Sequence, residues 1–425
     1  MNDLLNGAGP LVTLSALPML AGLLLREGVV ASNLRRLAII LALVIPVVFM
    51  ALVAIVYVQQ SGTVFFDFSV NNAAANVLYT NGNPYSVAGA YSFPFPSFYL
   101  YWLGSGWGAL SQQAAWIVWW IVNGTIWLLC VMLLWRTLPR VESAQGRDCL
   151  SYAAVAIPAI TVLWQGQTAL LILIGLVALH FAGLPNATRL NWIVGGVGLA
   201  WATLIKPQLA LIGVGLVIYA VLAFREKRSN DFRRIIWIIM AAIITTSLVI
   251  GATLILPGGV TLDTYRHFVT DALPQVARPA DTLNLPNVIG SPAFVSSLVA
   301  LQVGMTESTS NLIGNVMTLL MVGAALWWTV QRTNRPLTEI AAGWGVWAMV
   351  IPRVTWTWYA AWCLPFFLLM VSETVRQRRT SLKLIVLVLV LGLLNLQYGL
   401  TIVALTTILL LIALTWTSFK EPYAV

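Results

Sequence analysis

The chain has 425 residues, of which 60% are hydrophobic and only 9% charged, with a mean hydropathy of +0.87 and a formal net charge of +9. Soluble globular domains carry about 25% charged residues, so this composition excludes a water-soluble enzyme. The 23 Lys/Arg and 14 Asp/Glu lie between long apolar runs and form no basic face, which excludes a nucleic-acid binder and makes the positive excess a topology signal.

The N-terminal stretch lacks the basic start and cleavage site of a signal peptide. Its apolar part, Leu11 to Leu25, reads as a short first span (8–25) or an interfacial helix. Clear apolar runs follow at 37–58, 95–111, 114–135, 149–164, 168–183, 190–205, 208–224, 235–256, 310–330, 337–351, 359–375, 383–399 and 400–416. A helical span needs about 20 residues, and in lipid the backbone must satisfy its own hydrogen bonds. The expectation is therefore an all-α integral membrane protein with about 11 to 13 transmembrane helices. It is read as a single transmembrane domain over 1–425, with polar outer loops at 59–94 and 257–309. Putting Arg26, Arg35-Arg36, 136–147, Arg189, 225–234, 331–335, 376–383 and Lys420 inside accounts for 19 of the 23 cations. Lys206, Arg266, Arg278 and Arg353 then fall at the outer face. If 95–111 and 114–135 both cross, loop 136–147 shares a side with loop 59–94. Either 95–111, with Gly104, Gly106 and Gly108, only dips into the membrane, or 136–147 lies outside and the short run 149–164 dips and returns.

The cysteines, Cys130, Cys149 and Cys363, form no disulfide framework or CxxC pattern, and with two histidines no metal site is expected. In the first outer loop Asp67 is the only ionisable residue, set between Phe66 and Phe68. A carboxylate at an apolar boundary can have its pKa moved and act as a general base; it can equally be the N-cap of a helix over SVNNAAANVLY. Lys206 ends an uncharged helix before Pro207. It either binds a phosphate or snorkels to the headgroups. Arg353 is a second phosphate ligand or an interface anchor. Gln167 hydrogen-bonds a sugar or phosphate, or satisfies the backbone of a helix break. Asn83 and Tyr85 sit at a proline turn. Arg266, His267 and Arg278 mix with Asp263, Asp271 and Asp281, as solvated surfaces do, though His267 and Arg278 are also candidate substrate contacts. Asn287, Trp358 and Tyr359 complete the candidates.

These pieces resemble, in order, a family of membrane glycosyltransferases. An aspartate after a first span, a small-residue helix, Asn83-Pro84-Tyr85 and Phe93-Pro94-Phe95-Pro96 come first. Trp164-Gln165-Gly166-Gln167-Thr168-Ala169-Leu170-Leu171, then GGVGLAWATLIKPQLALI (195–212), LNLPNVIGSPAFV (283–295) and IPRVTWTWYAAWCLP (351–365) follow. They look like the GT-C-type mannosyltransferases that use polyprenyl-phosphate-mannose, including the phosphatidylinositol-mannoside mannosyltransferases, over about residues 37 to 370. The resemblance implies a GT-C-like bundle and inverting transfer of a hexose, most often mannose, from a polyprenyl-phosphate donor to a lipid or glycolipid acceptor. It implies no cofactor and no metal, Asp67 as base, and a site on the outer face of a prokaryotic plasma membrane. The sequence departs from the family at Trp358, which precedes Tyr359 where the family has histidine. The alternatives are a non-catalytic subunit retaining the fold, or a lipid or sugar transporter or flippase. A transporter is expected to carry midplane charges and inverted repeats, and this sequence shows neither.

Overall fold

The structure is a computed structural model and describes residues 66–94, 96–137, 166–255, 260–276, 288–366 and 369. The expected spans 37–58, 149–164, 383–399 and 400–416, the N-terminal segment, and most of loop 136–147 lie outside the described residues. Helices in chain order are α1 (Phe66–Tyr79), α2 (Ser97–Gly104), α3 (Gln112–Thr137), α4 (Ala169–Gly183), α5 (Arg189–Ile205), α6 (Ala210–Arg225), α7 (Ser229–Thr253), α8 (Leu262–His267), α9 (Leu273–Val276), α10 (Pro292–Gln302), α11 (Glu307–Val330) and α12 (Leu337–Val350). The described part is thus helical, with one exception to the all-α expectation. Strands β1 (Val288–Gly290) and β2 (Val354–Trp356) pair antiparallel, Ile289 opposite Thr355.

Among the described residues four helical stretches are long and apolar enough to cross a membrane: Gln112–Leu134, Pro207–Arg225, Ser229–Thr253 and Glu307–Val330. Helices α4, α5, α10 and α12 are apolar but shorter. The run 95–111 does not continue as one helix. Its helical part, α2, has eight residues, about 12 Å, and the chain then turns through Gly106 and Gly108 at positive φ. That favours the dipping alternative for this run.

Contacts divide the chain into two units. One comprises 53–130 and 162–283 and holds Asp67; the other comprises 1–52, 131–161 and 284–425 and holds Arg353.

In the Asp67 unit, α5 packs on both α4 and α7. Glycines make this possible. A Cβ on Gly198 would come 2.6 Å from the Gly175 carbonyl oxygen, and one on Gly196 would strike the Ile238 carbonyl of α7. Lipid gives apolar side chains no reason to leave it, so helices in membranes associate through such close backbone packing. The glycine-rich stretch of 195–198 is therefore explained by helix contact. Helix α5 starts with a capping box, Thr188 and Asn191. It stops at Lys206, which is extended (φ −136°, ψ 100°), because Pro207 disfavours a helical residue before it. Arg234 of α7 donates to the carbonyls of Gly183 and Pro185, closing the C-terminus of α4.

Helix α3 has two faces. Ala115, Trp116, Trp119, Asn123, Trp127, Cys130 and Leu134 are buried, while Ile117, Val118, Ile121, Val122, Leu128, Leu129, Met132 and Leu133 are exposed. An apolar face left uncovered along its whole length is what a bilayer solvates.

In the Arg353 unit, α10 and α11 are locked by reciprocal bonds. Ser297 Oγ donates to the Ser310 carbonyl (3.0 Å), and Ser310 Oγ to the Ser297 carbonyl (2.7 Å). The Trp344 indole donates to Thr329 Oγ1 (2.9 Å), joining α12 to α11.

Candidate active site

Asp67 lies in the first turn of α1, whose helix already includes Phe66. This differs from the N-cap alternative, since an N-cap residue precedes the helix. A carboxylate here still gains from the helix dipole. Its neighbour Phe68 is fully buried, its ring 5.9 Å from Tyr101 and 5.7 Å from Trp119. Those two rings stack on each other at 4.6 Å. Tyr101 Oη (3.1 Å) and Trp119 Nε1 (2.9 Å) both donate to the carbonyl of Gly166. Gly166 is thereby pinned against the start of α1. Its φ is +67°, and a Cβ there would come 2.6 Å from Phe68 Cβ, so glycine is required on both counts.

The pinned turn delivers Gln167. This residue is buried, and its side chain hydrogen-bonds the Asp67 carboxyl. Lys206 arrives from the end of α5, where Ser97 Oγ at the head of α2 donates to the Ile205 carbonyl (3.2 Å). The Lys206 charge acts on the same carboxyl. Burial raises the Asp67 pKa from 3.8 to about 6, against the hydrogen bond from Gln167 and the Lys206 charge, which both lower it. Desolvation therefore outweighs the two groups that favour ionisation. After burial, the same carboxylate also pushes the Tyr101 phenol up, which sets that ring beside the site. Three residues singled out separately in the sequence thus converge: Asp67, Gln167 and Lys206.

The connection after α1 is tied to this site. Asn71 Nδ2 donates to the Asp67 carbonyl (2.7 Å), Ser92 Oγ donates to Asn71 Oδ1 (2.6 Å), and Tyr85 Oη donates to the Ser92 carbonyl (3.1 Å). Asn83 Oδ1 accepts from the Tyr85 amide (3.0 Å) and so caps the turn Pro84–Ser86. The Tyr85 ring lies 5.9 Å from Phe98, 5.4 Å from His267 and 6.2 Å from Phe268. His267 Nδ1 is 2.7 Å from Asp271 Oδ2, both side chains half-exposed. The stretch expected as a loop here is helical, α8 and α9 joined by a π turn over Phe268–Ala272.

Arg353 belongs to the other unit. Its guanidinium donates to Asn311 Oδ1 (2.8 Å), to Asn315 Oδ1 (2.8 Å) and to the Asn311 carbonyl, and Ser291 Oγ donates to its carbonyl (2.6 Å). Burial moves its pKa down, but an arginine remains charged. The β1–β2 pair brings Val288–Gly290 and Val354–Trp356 together. Tyr359 is buried and stacks on Trp362 at 4.1 Å. Trp358 lies in the turn Thr357–Cys363; its side chain, Arg278 and Asn287 are outside the described residues. Among the described residues no group of three or more His, Cys, Asp or Glu side chains could hold a metal ion.

Asn71, Ser92, Tyr101 and Trp119 are site-building residues that the sequence reading did not single out. Asn71 had a signal: it stands four residues after Asp67, hence on the same helix face. The other three had none, because the contacts that define them cross tens of residues.

Comparison with family models, curated proteins and solved structures returns no match for this chain. The geometry can accept a proton at Asp67 and offer a cation at Lys206 to an anion.

Proposed function

We propose that the protein is a membrane glycosyltransferase of GT-C-like architecture, with about 11 to 13 transmembrane helices, that moves a hexose, mannose first among candidates, from a polyprenyl-phosphate donor to a lipid or glycolipid acceptor. The reading is supported above all by one observation: a half-buried carboxyl whose pKa desolvation raises to about 6, held by Gln167 and faced by the Lys206 charge. A base is most effective when its pKa lies near the working pH. In the proposed step the acceptor oxygen attacks the anomeric carbon and the bond from that carbon to the phosphate oxygen breaks. The acceptor proton passes to Asp67, and the bonding pair leaves with the polyprenyl phosphate, stabilised by Lys206. Configuration inverts, and no metal or cofactor takes part. We place the site at the outer face of a prokaryotic plasma membrane, where such donors present their phosphate.

Trp358, in place of the family's histidine, favours a second reading, a non-catalytic subunit that keeps the fold. One experiment separates the two. The protein is reconstituted into vesicles with radiolabelled polyprenyl-phosphate-mannose and extracted membrane lipids. Appearance of a labelled lipid product that is absent with Asp67→Asn supports the transferase. Folded protein without transfer from polyprenyl-phosphate-linked mannose, glucose or galactose overturns it.

A further inference from the structure

From Phe68 to Trp135 the sequence contains no Asp, Glu, Lys or Arg. Midway, between α2 and α3, the turn Gly106-Trp107-Gly108 has three successive residues at positive φ: +58°, +56° and +78°. Glycine adopts this conformation freely, but tryptophan does so at a steric cost. The strained residue is also turned outward. Trp107 is 66% exposed, and the flanking Leu103 and Leu110 are exposed too. Within the Asp67 unit the Trp107 ring touches only the edge of Trp102 (6.5 Å, 79°) among the ring contacts of the described residues. The backbone of the turn is held by bonds from the Trp107 amide to the Trp102 carbonyl (3.0 Å) and from the Leu110 amide to the Ser105 carbonyl (3.1 Å), so the conformation is fixed while the indole itself is left turned outward.

We propose that Trp107, with Leu103 and Leu110, inserts into the headgroup–acyl boundary of the bilayer as an anchor. The argument rests on continuity. Ten residues on, Ile117 begins the uncovered apolar face of α3, which runs to Leu133. Those 16 steps span about 24 Å of helix, close to the thickness of a hydrocarbon core. Exposed Ser111 and Gln112 separate this face from the turn and mark the polar level at its end. An indole, apolar in body with one donor, is the side chain that settles there. A partner in bulk water, such as a glycan or a soluble protein, leaves the lack of any charge around the turn without a role.

The anchor also sets the height of the candidate site. Trp102, against which Trp107 rests, stacks face to face on Tyr79 at the end of α1 (4.1 Å, 13°). Gln112 Nε2 donates to Ser69 Oγ in the first turn of the same helix (2.5 Å). The depth of Trp107 is thus passed to both ends of the helix that carries Asp67. This inference does not depend on the proposed chemistry.

The test places a single environment-sensitive fluorophore at Trp107→Cys in a chain whose Cys130, Cys149 and Cys363 are replaced by alanine, reconstituted in phosphatidylcholine–phosphatidylglycerol vesicles. Leu110→Cys, which leaves the strained turn intact, is read in parallel and decides the matter where Trp107→Cys lowers the folded yield. Lys227→Cys, in the exposed charged turn before α7, is the aqueous reference. Expected is stronger quenching at 107 and 110 by lipids spin-labelled at acyl carbon 5 than at carbon 12, with iodide quenching several-fold below that at 227. Iodide quenching equal to that at 227, without lipid quenching, overturns the proposal and leaves Trp107 a platform for a partner in water.

Discussion

Replacing Asp67 with asparagine is expected to stabilise the protein at alkaline pH while abolishing its proposed activity. The carboxyl has a pKa of about 6 in place of 3.8, an upward shift of about 2 units. At about 1.4 kcal/mol per unit, the ionised form is disfavoured in the folded state by roughly 3 kcal/mol. Water reaching this partly accessible side chain reduces that to about 1–3 kcal/mol. A raised carboxyl pKa contributes stability that is complete below 3.8 and is lost as pH rises through 6. Asparagine has nearly the same shape, can still bond Gln167 and cannot ionise, so it escapes the loss. The midpoint of thermal unfolding in detergent, measured from pH 4 to 8.5, should therefore coincide for the two proteins near pH 4. The two should separate progressively between about pH 4 and 6, with Asp67→Asn the more stable, and keep that difference above pH 6. In vesicles the same variant should lose about 10²–10⁴-fold in transfer rate, the usual contribution of a general base. A variant less stable by the same amount at every pH would refute the desolvation argument and return Asp67 to a role at the helix terminus. Unchanged transfer would remove it as the base.

Three further substitutions probe the same assembly. Gln167→Leu removes a hydrogen bond that favours the carboxylate, so the rising limb of the pH–rate profile should move to higher pH, with the alkaline plateau rate retained. Lys206→Ala should move the limb the same way and also raise the KM for the polyprenyl-phosphate donor more than that for the acceptor. Lys206→Arg should restore the charge but only part of the donor KM, because a planar fork replaces a point charge. Gly166→Ala forces a Cβ to 2.6 Å from Phe68 Cβ at a φ of +67°. It should cost about 1–3 kcal/mol, seen as a lower unfolding midpoint and a smaller monodisperse fraction on size exclusion.

The helices were legible because lipid enforces a simple code: a run of apolar residues must close its own hydrogen bonds. Runs 114–135, 208–224, 235–256 and 310–330 correspond to the four spanning stretches. Lys206-Pro207 was legible as a helix end because proline dictates the conformation of the residue before it. Asp67 and Lys206 stood out as lone charges in apolar surroundings, where charge is costly and seldom incidental. The coupling of Gln167 to Asp67 was not legible. It depends on the Gly166 carbonyl being held by Tyr101 and Trp119, and no spacing rule links 67, 101, 119 and 166. The β1–β2 pair was hidden for a similar reason, since two three-residue strands more than 60 residues apart leave no periodic trace. The tryptophans of α3 show a limit of another kind. Tryptophan in a membrane helix is expected at the interface, yet Trp116, Trp119 and Trp127 are buried, because the lipid face of this helix is built from Ile, Val, Leu and Met.

The opposition between burial and Lys206 at Asp67 bears on when the base is strongest. In the free protein the ammonium draws the carboxyl pKa down, and burial leaves it at about 6. Under the proposed chemistry the donor brings a phosphate to Lys206. Its negative charge offsets the ammonium's effect on the carboxylate, and the lipid excludes water from the site. Both changes raise the Asp67 pKa, so donor binding strengthens the base at the moment it is needed. Profiles of kcat/KM report ionisations of the free enzyme and profiles of kcat those of the loaded one. The acidic limb of kcat/KM for the donor should therefore have its midpoint near pH 6, and that of kcat, at saturating donor and acceptor, should lie at higher pH. In Lys206→Ala the phosphate has no ammonium to offset, so the gap between the two midpoints should change while both lie above pH 6. Coincident midpoints in the unaltered protein would show that donor charge does not reach Asp67, and Lys206 would then lose its assignment as the phosphate ligand.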